Sequence, residues 1–156
     1  MNKSNLPSGL KDALGSLLDD HHKVTKLFGN FEKAKTDEEK EEIARTVCDE
    51  LTLHTSIEEE LFYPAVRELD PEKFGSLLDE AVVEHATAKD LIEQIGGMGP
   101  EDELFDARVT VLGEYVKHHI QEEEGELFPK LIEEKCDLRE LAEKMAEMRP
   151  KRSKAA

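Results

Sequence analysis

Two copies of one short unit dominate the sequence, and each places a histidine, a glutamate and a proline at the same spacing. The copies are His54-x3-Glu58-x5-Pro64 and His119-x3-Glu123-x5-Pro129. On an α-helix, residues four positions apart lie one turn apart on the same face. Each copy is therefore expected to direct one imidazole and one carboxylate to the same side of a helix.

An imidazole nitrogen and a carboxylate oxygen together suit iron, manganese or zinc, and two such units on two helices can build a site for two metal ions. Other helical metal patterns are missing. The Glu-x-x-His pattern of ferritin-like sites is absent, because apolar residues stand three positions before the histidines at 54, 85 and 119, namely Leu51, Val82 and Val116. The His-Glu-x-x-His pattern of metalloproteases is absent as well.

Length and composition restrict the scaffold that carries these units. A chain of 156 residues suits one domain, which we place at residues 1–150, followed by a basic tail at residues 151–156. Long stretches lack both glycine and proline, and there is no tryptophan, which disfavours a β-sandwich. We therefore predict an all-α protein.

The charge of the chain limits its partners. The formal net charge is −16, whereas nucleic acids and anionic membrane surfaces both attract basic proteins. No apolar run approaches the ~18 residues that a membrane span needs, and the N-terminal residues lack the apolar segment of a signal peptide. Cys48 and Cys136 are distant in sequence, which favours free thiols in a reducing compartment. We expect a cytoplasmic protein that binds neither nucleic acid nor membrane.

Capping and breaking residues divide the chain into four long helices and a short fifth one. Helix 1 is predicted at residues 8–35, helix 2 from the capping box Thr36-Asp-Glu-Glu39, helix 3 from Asp70-Pro71, helix 4 from about Pro100, and helix 5 from the cap Asp137 to about Met148. Pro64 and Pro129 are expected to end or kink their helices. Short connections favour antiparallel neighbours, so we predict an up-down-up-down four-helix bundle with a short C-terminal fifth helix.

Each long helix carries an apolar stripe that includes one histidine. The stripes are Leu17-His21-Val24-Phe28-Phe31, Val47-Leu51-His54-Glu58-Leu61, Leu78-Val82-His85-Ala88-Ile92 and Leu112-Val116-His119-Glu123-Leu127. A single histidine on such a stripe is more often a satisfied core residue than a ligand. Four of them together with Glu58 and Glu123 favour a metal site, because burying an unpaired carboxylate costs several kcal/mol.

Four motifs in this order resemble the hemerythrin-like (HHE cation-binding) family. They are Asp20-His21 followed by Leu27-Phe28, His54-x3-Glu58-Glu-x3-Tyr-Pro64, Glu84-His85, and His118-His119-x3-Glu123-Glu-x3-Phe-Pro129. The resemblance covers about residues 10–132. It implies a four-helix bundle that holds two non-haem iron ions joined by an oxo or hydroxo bridge.

The resemblance also implies roles for individual residues. Glu58 and Glu123 would bridge the two ions, and the terminal ligands would be His21, His54, His85 and His119. The expected function is binding or processing of oxygen, peroxide or nitric oxide, for oxygen or redox sensing or for peroxide removal. Whether the protein is an enzyme stays open, with peroxide decomposition as the candidate activity. The alternative function is a non-catalytic acidic bundle that binds metal or stores iron.

Two ligand positions have a neighbouring alternative. We prefer His21 to His22 because His21 shares the apolar stripe of helix 1. We prefer His119 to His118 because its spacing to the following proline matches that of His54, although His118 and Glu122 are also four residues apart. Other glutamates of the two units are expected to face solvent or to support a ligand from behind, namely Glu59, Glu60, Glu122, Glu124 and Glu126.

One departure from the oxygen-carrying members concerns helix 3. Those proteins have a further histidine one turn from the first, whereas this chain has Ala81 and Lys89 on either side of His85. This disfavours simple reversible oxygen storage. We also expect Glu58 and Glu123 to repel each other in the metal-free protein, so that one of them takes up a proton.

Overall fold

The computed structural model describes residues 1–150, and within this range the chain forms helices and turns and no β-strand. A short 3-10 turn at Lys3–Asn5 precedes seven α-helices. These are α1 (Ser8–Lys33), α2 (Asp37–Ile57), α3 (Tyr63–Leu69), α4 (Pro71–Gly96), α5 (Phe105–Glu122), α6 (Phe128–Glu133) and α7 (Arg139–Met148). The predicted basic tail at residues 151–156 lies outside the described residues. No helix in the described range is long and apolar enough to cross a membrane.

The four long helices form a closed ring, which confirms the predicted bundle. Helix α1 packs against α2 and α5, and α4 packs against the same two helices. Successive helices run in opposite directions because the loops between them are short. Helix α7 lies across α1 and contacts the segment that follows α2.

Two π-helical turns interrupt the long helices at corresponding places. Glu58–Phe62 joins α2 to α3, and Glu123–Leu127 joins α5 to α6. In these wider turns the Tyr63 N–H donates to the Glu58 carbonyl and the Phe128 N–H donates to the Glu123 carbonyl. The turns accommodate the prolines that follow, which have no N–H to donate. The chain therefore continues as helix past both prolines, and π-turns of this kind are frequent at functional sites.

Thr36 and Asp70 cap helices as predicted, whereas the predicted cap Asp137 is wrong, because Leu138 is the residue that precedes α7 at the cap position. The Thr36 side chain accepts the Glu39 N–H, and the Asp70 side chain accepts the Lys73 N–H. The predicted start of the fourth long helix near Pro100 is wrong, because α5 begins at Phe105. Residues 99–104 instead form successive turns, held by the bonds from Asp102 N–H to the carbonyl of residue 99 and from Phe105 N–H to the Asp102 carbonyl.

Two apolar clusters fill the interior, one on each side of the histidine level. The first includes Leu14, Leu17, Phe62, Phe74, Leu78 and Phe128, and the second includes Val24, Leu51, Phe105, Leu112 and Val116. One predicted core position is wrong: Val82 is 41% exposed, whereas Ala81 is 6% exposed and belongs to the first cluster. The six predicted ligands lie where the two clusters meet, away from solvent.

Candidate metal centre

The six residues predicted as ligands meet in the centre of the bundle, and all of them are buried. They form two groups of three, His21 with His54 and Glu123, and His85 with His119 and Glu58. Within each group, one potential ligand atom from every residue lies within 4.8 Å of the others. Each group therefore has the composition and spacing of a site that could hold a metal ion.

The two carboxylates connect the two groups. Glu58 Oε1 lies 3.2 Å from His54 Nε2 and 3.1 Å from His85 Nε2. Glu123 Oε1 lies 3.1 Å from His21 Nε2, and its Oε2 lies 3.2 Å from His119 Nε2. Both carboxylates thus contact a histidine of each group, which is the arrangement that a bridging role requires.

Every histidine of the centre presents Nε2 inward and donates its Nδ1–H outward to a carboxylate. The pairs and their Nδ1–oxygen distances are His21–Glu124 at 2.8 Å, His54–Asp20 at 2.7 Å, His85–Glu59 at 2.7 Å and His119–Glu84 at 3.1 Å. A carboxylate at Nδ1 keeps the proton on that nitrogen and orients the ring. The lone pair of Nε2 is then available to a metal ion.

These supporting carboxylates always come from a different helix and form a closed ring around the bundle. Asp20 on α1 supports α2, Glu59 in the first π-turn supports α4, Glu84 on α4 supports α5, and Glu124 in the second π-turn supports α1. From the sequence, Glu59 and Glu124 were expected either to face solvent or to support a ligand. In the structure, each accepts a hydrogen bond from a histidine of the centre. A signal was present, because each of the four stands next to a predicted ligand in sequence.

Tyr63 was not predicted as a functional residue. Its hydroxyl donates to Glu123 Oε2 at 2.5 Å and lies 3.2 Å from His119 Nε2. Burial and the negative charge of Glu123 raise the pKa of Tyr63 well above its usual value, so the phenol stays protonated and acts as a donor. The available signal was the difference between the two repeated units, since Phe128 occupies the corresponding position in the second.

Unsatisfied polar atoms show that the centre fits a cation. Among the described residues, His54 Nε2 and both carboxylate oxygens of Glu58 are buried without a hydrogen bond of acceptable geometry. A buried polar atom left in this way costs about 1–3 kcal/mol. A metal ion between these atoms removes that cost, and four imidazole nitrogens with two carboxylates suit iron, manganese or zinc.

In the metal-free protein, His54 holds a proton. Burial lowers the pKa of His54, but the negative charge of Glu58 and the hydrogen bond to Asp20 outweigh burial and raise this pKa to about 10. Burial raises the pKa of Glu58, yet the charge of His54 holds it well below its usual value. For Glu58 this differs from the sequence-based expectation that one of the two carboxylates is protonated, because its histidine partners oppose protonation.

The neighbouring histidines of each pair lie outside the centre. His22 is exposed, and His118 is 61% exposed on its side chain. His118 Nε2 lies 2.9 Å from Glu122 Oε1 and 3.3 Å from Glu84 Oε2, forming a separate surface group. The structure therefore brings His21 and His119 into the centre and leaves the two alternatives at the surface.

The two positions flanking His85 on α4 contribute no imidazole. Ala81 is buried beside a cavity of about 10 Å³ that His119 and Glu123 also line. Lys89 points away and its Nζ donates to Glu59 Oε1 at 2.7 Å. Helix α4 thus supplies one ring nitrogen to the centre.

A larger cavity of about 30 Å³ lies against the rings of all four histidines. Its remaining walls are mainly apolar and include Val24, Leu51, Ala88, Val116 and Ile120. This volume exceeds the ~10–15 Å³ needed to hold one water molecule. The cavity can therefore admit a molecule of a few atoms to the inner face of the centre, and little more.

The fold and the centre together define a four-helix protein with a buried histidine–carboxylate metal centre. The family described as hemerythrin HHE cation binding domain matches residues 12–131. The chain belongs to this family, as its motifs predicted.

A comparison with curated proteins adds one relative. The chain is 34% identical over 109 residues to a protein of Nostoc sp. (strain PCC 7120 / SAG 25.82 / UTEX 2576) named "DNA nickase". The match covers 70% of this chain and 30% of the relative, so the chain corresponds to less than a third of that protein. No solved structure matches the chain significantly.

Proposed function

We propose that the protein holds two non-haem iron ions at this centre. His21 and His54 would bind one ion, His85 and His119 the other, and Glu58 and Glu123 would be shared between them. The observation that supports this assignment is the contact of each carboxylate with histidines of both groups. The three buried atoms without hydrogen bonds supply a physical reason for the cations.

We further propose that the centre binds or processes a small molecule, namely oxygen, peroxide or nitric oxide. Iron at these ligands would supply the redox chemistry that such molecules require. The cavity against the histidine rings favours this substrate class, because its volume of about 30 Å³ excludes larger compounds. The cellular role would be oxygen or redox sensing, or peroxide removal, in the cytoplasm.

The residues around the centre have separate tasks in this scheme. The four carboxylates at Nδ1 hold the imidazole rings in fixed orientations. The Tyr63 hydroxyl holds a proton 2.5 Å from Glu123 Oε2 and is the nearest phenolic donor to the centre. The apolar walls of the cavity keep bulk water from the reacting molecule.

Ala81 distinguishes this centre from that of a reversible oxygen carrier. The centre includes four ring nitrogens, and Ala81 and Lys89 stand at the positions of α4 where a further histidine would have to be. Fewer neutral nitrogens and two anionic carboxylates favour ferric over ferrous iron. We therefore expect the reduced protein to be oxidised soon after exposure to air, and the oxidised protein to react with hydrogen peroxide.

The test is an optical spectrum of iron-loaded protein that has been reduced without oxygen. Admitting air should produce the ferric spectrum, and evacuation should not reverse it; peroxide should then change the spectrum further. An oxygenated spectrum that disappears under vacuum would point to oxygen storage instead. A colourless protein that responds to neither oxygen nor peroxide would support the non-catalytic alternative.

The name of the Nostoc relative does not lead us to propose DNA cleavage for this chain. DNA-binding surfaces need basic residues to neutralise phosphates, whereas this chain carries a net charge of −16. The relative is more than three times as long as the matched segment, so the activity in its name can depend on its other parts. We propose a small-molecule partner and no nucleic acid or membrane partner.

A further inference from the structure

The carboxylate that supports His54 is itself held by a residue from outside the four-helix bundle. Asp20 Oδ2 accepts the His54 Nδ1–H at 2.7 Å. Arg149 contacts both oxygens of the same carboxylate, from Nη1 to Oδ1 at 2.9 Å and from Nη2 to Oδ2 at 2.7 Å. Its Nη2 also lies 3.3 Å from Ser16 Oγ. A bidentate contact of this kind fixes the orientation of the carboxylate and also balances its negative charge.

The groups behind the other three carboxylates are arranged differently. Lys89 contacts Glu59, His118 contacts Glu84, and the Met1 amino group contacts Glu124. Each of these groups contacts one oxygen of its carboxylate, and the side chains of Lys89 and His118 are more than half exposed. Arg149 is mostly buried, with 26% of its side chain exposed, and binds both oxygens.

The position of Arg149 depends on how α7 packs. Arg149 directly follows the last residue of α7, and Leu141 and Met145 of that helix are buried in the first apolar cluster. The chain leading into α7 is held to α1 by the bond from Leu138 N–H to the Gly9 carbonyl at 2.9 Å. A change in the packing of α7 therefore moves the guanidinium away from Asp20.

We propose that Arg149 is a positioning residue for the metal centre: it holds Asp20, Asp20 orients His54, and the docking of α7 thereby favours metal binding at His54. This inference rests on the proposed metal centre. Because coupling between two equilibria is reciprocal, a metal ion at His54 also stabilises the docked position of α7. The C-terminal helix is then the element whose order reports whether the centre is loaded.

The expected effects follow from the known cost of disturbing a residue behind a ligand. Loss of such a partner lowers metal affinity by about 10–100-fold. Arg149 contacts the supporting residue Asp20 and not the ligand His54 itself, so Arg149→Gln should lower the affinity by about tenfold, at the lower end of this range. In the wild-type protein, metal loading should slow amide hydrogen exchange in α7 by a factor of similar size, and this difference should shrink in the variant.

The experiment uses cobalt(II) as the probe, because it forms coloured complexes with nitrogen and oxygen ligands. Affinity is measured by competition with a chelator, and hydrogen exchange of residues 139–148 is measured with and without cobalt. Arg149→Lys keeps the positive charge but loses the second hydrogen bond to Asp20, so its affinity should lie between those of Arg149→Gln and the wild type. Arg139→Gln is the matched control, since Arg139 begins α7 and, among residues 1–150, forms an ion pair with Asp137 alone at the surface.

A double-mutant comparison separates positioning from general stability. If Arg149 acts through Asp20, then Arg149→Gln should have no further effect on affinity in an Asp20→Asn background. A purely structural effect would instead lower the affinity by the same factor in both backgrounds. The comparison also remains decisive if Arg149→Gln loosens α7, because a loosening that acts by a route other than Asp20 lowers the affinity in both backgrounds.

The outcomes distinguish this inference from the proposed function. A wild-type protein that binds no cobalt overturns both. A wild-type protein that binds cobalt, together with an Arg149→Gln variant of equal affinity or with unchanged exchange of α7 on loading, overturns the inference and leaves the metal centre standing.

Discussion

Metal binding at this centre should strengthen steeply as pH rises. In the metal-free protein, interactions with Glu123, Glu58 and the supporting carboxylates raise the pKa of His21, His54 and His119 against the opposing effect of burial. His54, whose pKa is about 10, carries a proton at neutral pH, and a metal ion at Nε2 must displace that proton. Binding should therefore release protons, and apparent affinity should increase with pH.

The size of the effect can be worked out for His54. Its pKa of about 10 is three units above pH 7, and one unit corresponds to about 1.4 kcal/mol. Displacing this single proton therefore costs ~4 kcal/mol at pH 7, which weakens apparent binding ~1000-fold. Raising the pH by one unit should recover about tenfold for each proton displaced.

The same shift has an opposite consequence for the stability of the metal-free protein. A histidine whose pKa is raised by folding stabilises the folded state fully below its unfolded pKa of about 6.5. That stabilisation is lost as the pH rises toward the folded value of about 10. The metal-free protein should therefore become less stable between pH 6.5 and 10, whereas the loaded protein, whose rings are deprotonated, should not show this loss.

The assay is cobalt(II) binding between pH 6 and 8 by chelator competition, corrected for protonation of the chelator, with proton release counted in weakly buffered solution. The His22→Gln variant is the matched control, because this exposed neighbour of a ligand should leave both quantities unchanged. An affinity independent of pH, or binding without proton release, would refute the reasoning.

Three further predictions concern individual residues and the metal. Tyr63→Phe removes a hydrogen bond to the Glu123 carboxylate worth about 2 kcal/mol, so the metal-free protein should melt ~4–8 °C lower; an unchanged melting temperature in circular dichroism would contradict this. His119→Ala should weaken cobalt binding by more than the ~100-fold typical of supporting residues, whereas His118→Ala should leave it nearly unchanged, and the reverse order would mean that the ligand assignment is wrong by one residue. Chelating the metal from a protein loaded at 1,000 times its dissociation constant should cost ~4 kcal/mol, which is a fall of ~8–16 °C in melting temperature, and equal values with and without chelator would indicate an adventitious surface site.

Helical periodicity and caps predicted most of the fold. The spacing of apolar residues identified the four long helices, and Thr36 and Asp70 marked two starts correctly. The periodicity failed at Val82 because spacings of three and four residues both satisfy a helical stripe, and only packing decides that Ala81 is the buried member. The start of α5 was predicted too early, because the turns before Phe105 depend on side-chain and backbone hydrogen bonds that residue propensities do not reveal.

The inward-facing residues of the centre were easier to predict than their support. A buried histidine or glutamate stands out on an apolar stripe, so His54 and Glu58 were visible in the sequence. Asp20 and Glu59 look like ordinary charged surface residues, because the contacts that give them a role cross between helices. The π-turns could not be predicted from the sequence. A proline in a helix predicts an interruption, but it does not show whether the helix ends or continues through a turn that is wider by one residue.

Metal stoichiometry tests the central claim most directly. The protein is loaded anaerobically with ferrous iron, excess metal is removed, and iron is measured against protein concentration for the wild type and for Glu58→Gln. The structure predicts two ions per chain in the wild type, with fewer retained when the shared carboxylate is changed. A fully loaded wild-type protein that plateaus at one ion per chain, or a Glu58→Gln variant that retains both ions, would contradict a centre built from two groups joined by shared carboxylates.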